Sequence, residues 1–132
     1  MLYYIYCNEM WNQLDGLTGL LSQKSYLNRT LNLQPEDKML IVLDLDNFKY
    51  INDTYGHQAG DQCLKVIAEC LKKAYSRYGN CYRIGGDEFC VLFRKPEKEK
   101  YCREKFYWII EKQKKSLHML PGASYGSALI EE

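Results

Sequence analysis

No stretch of this 132-residue sequence approaches the roughly 20 apolar residues that a membrane span needs, so the chain itself is not expected to cross a bilayer. It also lacks excess charge. The formal net charge is +1, which argues against a general nucleic-acid binder. No signal peptide is evident. The six cysteines, Cys7, Cys63, Cys70, Cys81, Cys90 and Cys102, include no CxxC pair and no Cys/His cluster at zinc spacing. They read as reduced, mostly buried thiols of a cytoplasmic protein. There is no P-loop, no dinucleotide fingerprint and no GxSxG elbow. No repeat, low-complexity stretch or linker divides the chain, and 46% apolar residues are enough for one core.

What is present alternates between helix and strand patterns. Residues 1–14 carry Leu2, Tyr6 and Met10 four apart, with Ile5 and Leu14 beside them, as a helix with one sticky face does. That face packs on its own domain or belongs to a longer helix from an upstream part. Two glycines, Gly16 and Gly19, interrupt it. Ser22 is placed to cap a helix over 22–33, which Pro35 closes. Lys38–Leu45 is a short apolar run that reads as a buried strand. A short helix is expected over Asn47–Tyr55, and a long one from an Asp61 cap to about Tyr78.

Cys81–Ile84 and Glu88–Phe93 flank Gly85-Gly86-Asp87, as strand, tight turn and strand. If Gly85-Gly86 is the tip, Cys81 and Cys90 are equidistant from it and face each other. A third long helix is expected from Lys95 to Leu117, starting at Pro96. Residues 94–115 hold nine Lys or Arg and four Glu, either a solvated helix face or a docking surface. Ala123–Ile130 is the last strand. Hairpins mixed with helical crossovers imply an α/β (α+β) sheet flanked by helices.

Asp44 and Asp46 stand at the carboxyl end of the most buried strand, two apart and so on one face. A carboxylate there is costly unless its charge is compensated. Asp87 and Glu88 at the glycine hairpin add a second acidic pair. If the two strands are neighbours, up to four carboxylates converge. Hard oxygen donors of this kind suit Mg²⁺ or Mn²⁺, which completes its shell with water and substrate phosphates. The other reading is ordinary surface acids at strand ends. Asn47-Phe48-Lys49 follows the acidic strand. A helix starting there points free N–H groups at an anion, and Lys49 adds a point charge. Asn52 with an Asp can read a guanine edge, although Asn52, Asp53 and Asp61 also suit turns and caps. His57 reads as a loop residue and His118 as a helix-end residue.

Gly85-Gly86-Asp87-Glu88-Phe89 resembles the signature of the GGDEF family of diguanylate cyclases. Asp44–Asp53 (DLDNFKYIND) resembles that family's DxDxFKxIND segment, Tyr55–Asp61 its FGHxxGD, and Asp15–Leu20 its DxLTGL. The resemblance spans Asp15 to about Ile130. It implies a fold like nucleotide cyclases and polymerase palms that carries a GGDEF β-hairpin, with the GGDEF domain over residues 15–132 behind a signalling-type helix over residues 1–14. It implies condensation of two GTP to cyclic di-GMP with release of pyrophosphate, at the interface of a homodimer.

By position, Asp44 and Asp87 would be metal carboxylates, and Leu45 would lend its carbonyl. Glu88 would support the metal site or help deprotonate the 3′-hydroxyl. The amides of Asn47 and Phe48, with Lys49, would hold the β- and γ-phosphates. Asn52 and Asp61 would recognise guanine, with Leu17 and Leu64 lining its pocket. Asp46 would be structural support. An upstream sensor, in a parent protein that could be membrane-anchored, is the partner the resemblance implies.

Three departures stand out. Ser22-Gln23 replaces an Asn-Arg pair. Ser76 and Gly79 occupy the positions of the family's inhibitory RxxD, which should therefore be absent. The family's C-terminal helix, which brings a Lys and an Arg to the triphosphate, is not among these 132 residues, so weaker binding and turnover are expected. The alternative function is a GTP-binding regulatory module with little turnover.

Overall fold

The computed structural model describes residues 13–131. Its elements in chain order are α1 (Gln23–Leu31), β1 (Met39–Leu45), α2 (Phe48–Tyr55), α3 (His57–Tyr75), β2 (Gly79–Arg83), β3 (Glu88–Phe93), a 3₁₀ turn (Pro96–Lys98), α4 (Glu99–Gln113) and β4 (Ala123–Leu129). The strands form one sheet in the order β2-β3-β1-β4, with every neighbouring pair antiparallel. Two β-α-β crossovers interleave in this order, so the sheet is of the split βαβ, ferredoxin-like kind.

Alternation along β1 decides what each face does. Ile41, Leu43 and Leu45 are buried, whereas Val42 and Asp44 are exposed. The buried set joins Phe89, Val91 and Phe93 of β3 under α3 and α4, whose Leu64, Ile67, Leu71, Phe106 and Ile110 complete the main core. Its burial is the dominant stabilising term. Tyr82, Cys90 and Leu92 turn to the opposite face, where Tyr26 of α1 covers them. Leu21 runs beside β2 and closes that edge, its N–H donating to Cys81 O while its own carbonyl accepts from Arg83 N.

Several expectations are corrected. The long helix begins at His57, not at an Asp61 cap, because Gly56 at φ 91° turns directly from α2 into α3. Asp61 therefore sits in the second turn. Pro96 opens a 3₁₀ turn, and α4 proper spans only Glu99–Gln113. Ser22 does cap its helix, accepting from Ser25 N at 3.1 Å. The expected helix over residues 1–14 lies outside the described residues, except at Gln13 and Leu14.

Cys81 and Cys90 do not face each other. The register pairs Cys81 with Val91 and Tyr82 with Cys90, because the turn holds three residues. Ile84 N donates to Glu88 O at 2.9 Å and leaves Gly85, Gly86 and Asp87 outside the ladder. Adjacent positions on a strand point to opposite faces. Cys81 thus lies in the main core and Cys90 under α1.

Candidate functional site

The ends of β1 and β3 meet at the acidic positions. Asp44 is registered against Glu88 on one side and Ser124 on the other. Leu45 N donates to Asp87 O at 3.2 Å, which fixes the backbone of the turn against β1. Burial, then Asp87, Glu88 and Asp46, all push the Asp44 carboxyl above its usual range. Every one of these influences acts in the same direction, and none of them comes from a cation. Asp87, Glu88 and Asp46 are all near enough to raise Asp44, and a divalent cation would relieve that repulsion. Among the described residues no three His, Cys, Asp or Glu side chains form a ready-made cage. Mg²⁺ does not need one, since one or two carboxylates with water and phosphates suffice.

Asp46 is held differently. Its Oδ1 accepts from Ser124 Oγ at 2.6 Å, and its N–H donates to Gly122 O at 3.0 Å.

Asn47 is the one described non-glycine residue with positive φ, at 55°. This left-handed residue breaks β1 and starts α2 within two positions of the last strand residue. No side chain caps α2, so its first N–H groups remain available to an anion. Lys49 is exposed on the same turn. Asn52 lies one turn on, over Gly60. A Cβ at Gly60 would stand 1.9 Å from Asn52 Oδ1 and 3.3 Å from Phe48 Cζ. An added methyl would fit only if Asn52 swung away, so glycine here lets the Asn52 amide lie against the first turn of α3. Leu64 is buried in the core, and Leu17 packs half-buried against it.

The residue missed from sequence is Arg83. Its guanidinium Nη1 donates to both carboxylate oxygens of Asp15 at 3.2 Å. Its Nε and Nη2 donate to the carbonyls of Gly85 and Gly86 at 2.9–3.2 Å. Asp15 in turn accepts from Thr18 N at 2.8 Å and Thr18 Oγ1 at 2.7 Å. Burial pulls the Asp15 carboxyl up, but Thr18 and Arg83 outweigh it and hold it below its ordinary value. One side chain thereby locks the acidic turn to the N-terminal DxLTGL loop. An arginine two residues before a glycine pair was the available signal.

Gly79 has no room for the aspartate of an RxxD pair, since a Cβ there would lie 2.7 Å from Leu92 O.

Residues 12–131 match the family described as "Diguanylate cyclase, GGDEF domain". Diguanylate cyclase DgcZ of Escherichia coli is 36% identical over 105 residues, covering 76% of this chain and 36% of that protein. Diguanylate cyclase DgcS of Shewanella oneidensis is 39% identical over 90 residues, covering 64% of this chain and 30% of that protein. The chain thus spans about a third of the length of these curated relatives. Among solved structures, the GGDEF domain of DgcB from Caulobacter crescentus, in complex with c-di-GMP, superposes with a TM-score of 0.75 at 26% identity, covering 90% of this chain and 78% of that one. No helix among the described residues is long and apolar enough to cross a membrane.

Proposed function

Since this chain belongs to the GGDEF family of diguanylate cyclases, we propose that it is a cyclase domain that condenses two GTP to cyclic di-GMP and releases two pyrophosphates. The observation that carries the reading is the convergence of Asp44, Asp87 and Glu88 beside the uncapped start of α2. Asp44, Asp87 and the carbonyl of Leu45 would hold Mg²⁺ or Mn²⁺. When bound, such an ion supplies positive charge to the phosphates at the reacting centre.

The protein's own groups do the rest. The amides at Asn47 and Phe48, with the Lys49 ammonium, hold the β- and γ-phosphates. Asn52 and Asp61 read the guanine edge, and Leu17 and Leu64 line the base pocket. Glu88 supports the metal site or accepts the proton of the 3′-hydroxyl. Each domain holds one GTP, so the attacking hydroxyl and the α-phosphate come from two domains placed face to face. Residues 1–14, together with an upstream sensor, would set that geometry. GTP is the ligand and a second copy the catalytic partner; nucleic acid has no part.

The test is cyclic di-GMP formation from GTP and Mg²⁺ over a series of protein concentrations. Product rising faster than linearly is expected. GTP binding without product at any concentration would replace this reading with that of a regulatory GTP-binding module.

A further inference from the structure

α4 has two opposed faces. Cys102, Phe106 and Ile110, four apart, are buried in the main core. On the other side Tyr101, Lys105, Trp108 and Lys112, spaced four, three and four apart, form one exposed stripe. Tyr101 is 63% exposed and Trp108 59%. The Lys112 ammonium stands 4.0 Å from the centroid of the Trp108 ring. α3 lies alongside and exposes Lys65, Lys72 and Lys73. Between the two helices runs a groove of about 280 Å³, in which Lys65 and Lys73, with the single acid Glu69 between them, flank apolar Val66 and Ile109. Glu111 is tied to Lys114 at 3.0 Å. The helix layer covers one face of the sheet while Asp44 opens on the other, so the proposed nucleotide site leaves this stripe unused.

Large exposed rings interleaved with lysines, over roughly 16 Å of helix, fit the boundary between water and lipid. Trp and Tyr prefer that depth, and lysine stems lie along apolar surface with their charges in the headgroups. We propose that the outer face of α3 and α4 docks on an anionic lipid surface, with Tyr101 and Trp108 at headgroup level and Lys65, Lys73, Lys105 and Lys112 facing the anionic groups. A second copy is the less suitable occupant. Its complementary acidic face is the one around Asp44, so the contact would be head-to-tail and would build open chains.

The experiment is co-sedimentation of the full chain with vesicles of phosphatidylglycerol and phosphatidylcholine, against vesicles of phosphatidylcholine alone. Binding to the anionic vesicles that weakens as salt rises is expected. Lys105→Glu with Lys112→Glu should lower it by about tenfold or more, and Trp108→Ala should also weaken it. Both variants should keep the parent's thermal unfolding and turnover, because these side chains are exposed and are not among the residues of the proposed nucleotide site. In a Trp11→Phe background, Trp108 emission should shift to the blue on binding.

Absence of binding to anionic vesicles overturns the proposal. So does binding that the α4 variants leave unchanged, which would place it elsewhere in the chain. Binding to poly-glutamate but not to vesicles would replace the lipid with an acidic protein. Self-association that the same variants abolish, without vesicle binding, would replace it with a second copy.

Discussion

Arg83 holds Asp15 at 3.2 Å with one arm and the carbonyls of Gly85 and Gly86 with the others. The acidic turn and the DxLTGL loop are therefore tied together through a single side chain. Arg83→Lys keeps the charge and loses the fork. We expect it to cost about 1–2 kcal/mol of stability in urea unfolding, as the pair is mostly but not fully buried, and to reduce cyclase activity more than tenfold. The Asp15 carboxyl is held below its ordinary 3.8. Its contribution is thus complete above that value and is lost as pH falls through the depressed one. Asp15→Asn should lower stability at pH 7 and lose its disadvantage in acid. Equal destabilisation at every pH would mean that Asp15 acts by shape alone.

Gly60→Ala separates the fold from the site. The added methyl would meet Asn52 Oδ1 at 1.9 Å, and that is the mobile end of a side chain. Asn52 can swing away at small cost, so unfolding should change by less than about 1 kcal/mol. The displaced amide can no longer pair with the base, and GTP affinity should fall about tenfold or more. A loss of binding that only accompanies unfolding would contradict this. Titration of GTP with Mg²⁺ at a temperature where both proteins are folded decides between them.

Asp44→Asn should abolish turnover and spare the fold. The carboxyl is raised by burial and by Asp87, Glu88 and Asp46. At neutral pH, without a cation, its charge therefore works against folding. A group raised in this way favours the folded state as pH falls through its folded value, the opposite sign to Asp15. The variant should unfold at an equal or higher temperature than the parent without Mg²⁺, and gain less when Mg²⁺ is added. Activity should drop at least about 100-fold. A variant that is less stable without metal would show that the ionised carboxylate is a structural asset.

The acidic cluster was legible because strand periodicity is two and each acidic pair runs up to a recognisable breaker, Asn47 or the glycine pair. The start of α3 was not, since Gly56 and Asp61 both read as termini and only the 91° φ at Gly56 distinguishes them. Arg83 was missed for a similar reason. Its partners lie two and three residues ahead along the turn and 68 residues back in the chain, and sequence spacing carries no record of the second. The misplaced Cys81–Cys90 pair came from one residue of turn length, which is enough to send a side chain through to the other face.

That shift has a chemical consequence. Burial pushes the Cys81 and Cys90 thiols up to about 12, and they lie on opposite faces of the hairpin. Neither is a competent nucleophile near neutrality. Iodoacetamide at pH 8 should label both only after denaturation. A mild oxidant should yield no Cys81–Cys90 disulfide in the native protein, as peptide mass mapping would reveal. Appearance of that bond without unfolding would require a shifted register.

Tyr75 is fully buried, and its hydroxyl has no hydrogen-bond partner among the described residues. Its ring is well used, packing edge-on against Phe93 with centroids 5.8 Å apart. Burial first, and then Glu99, raise the phenol far above its ordinary range, so the group stays neutral at any workable pH. Glu99 Oε1 is likewise without a hydrogen bond, with Arg103 Nε at 3.9 Å. An unpartnered buried hydroxyl costs its desolvation and returns nothing. Tyr75→Phe keeps the ring contacts and removes that cost, so it should stabilise the domain by about 1 kcal/mol and raise Tm by about 3–5 °C. A fall in Tm instead would mean that the hydroxyl bonds to a water or to Glu99 in solution, and Tyr75→Phe combined with Glu99→Gln would then separate the two, since only a direct bond to Glu99 makes their effects non-additive.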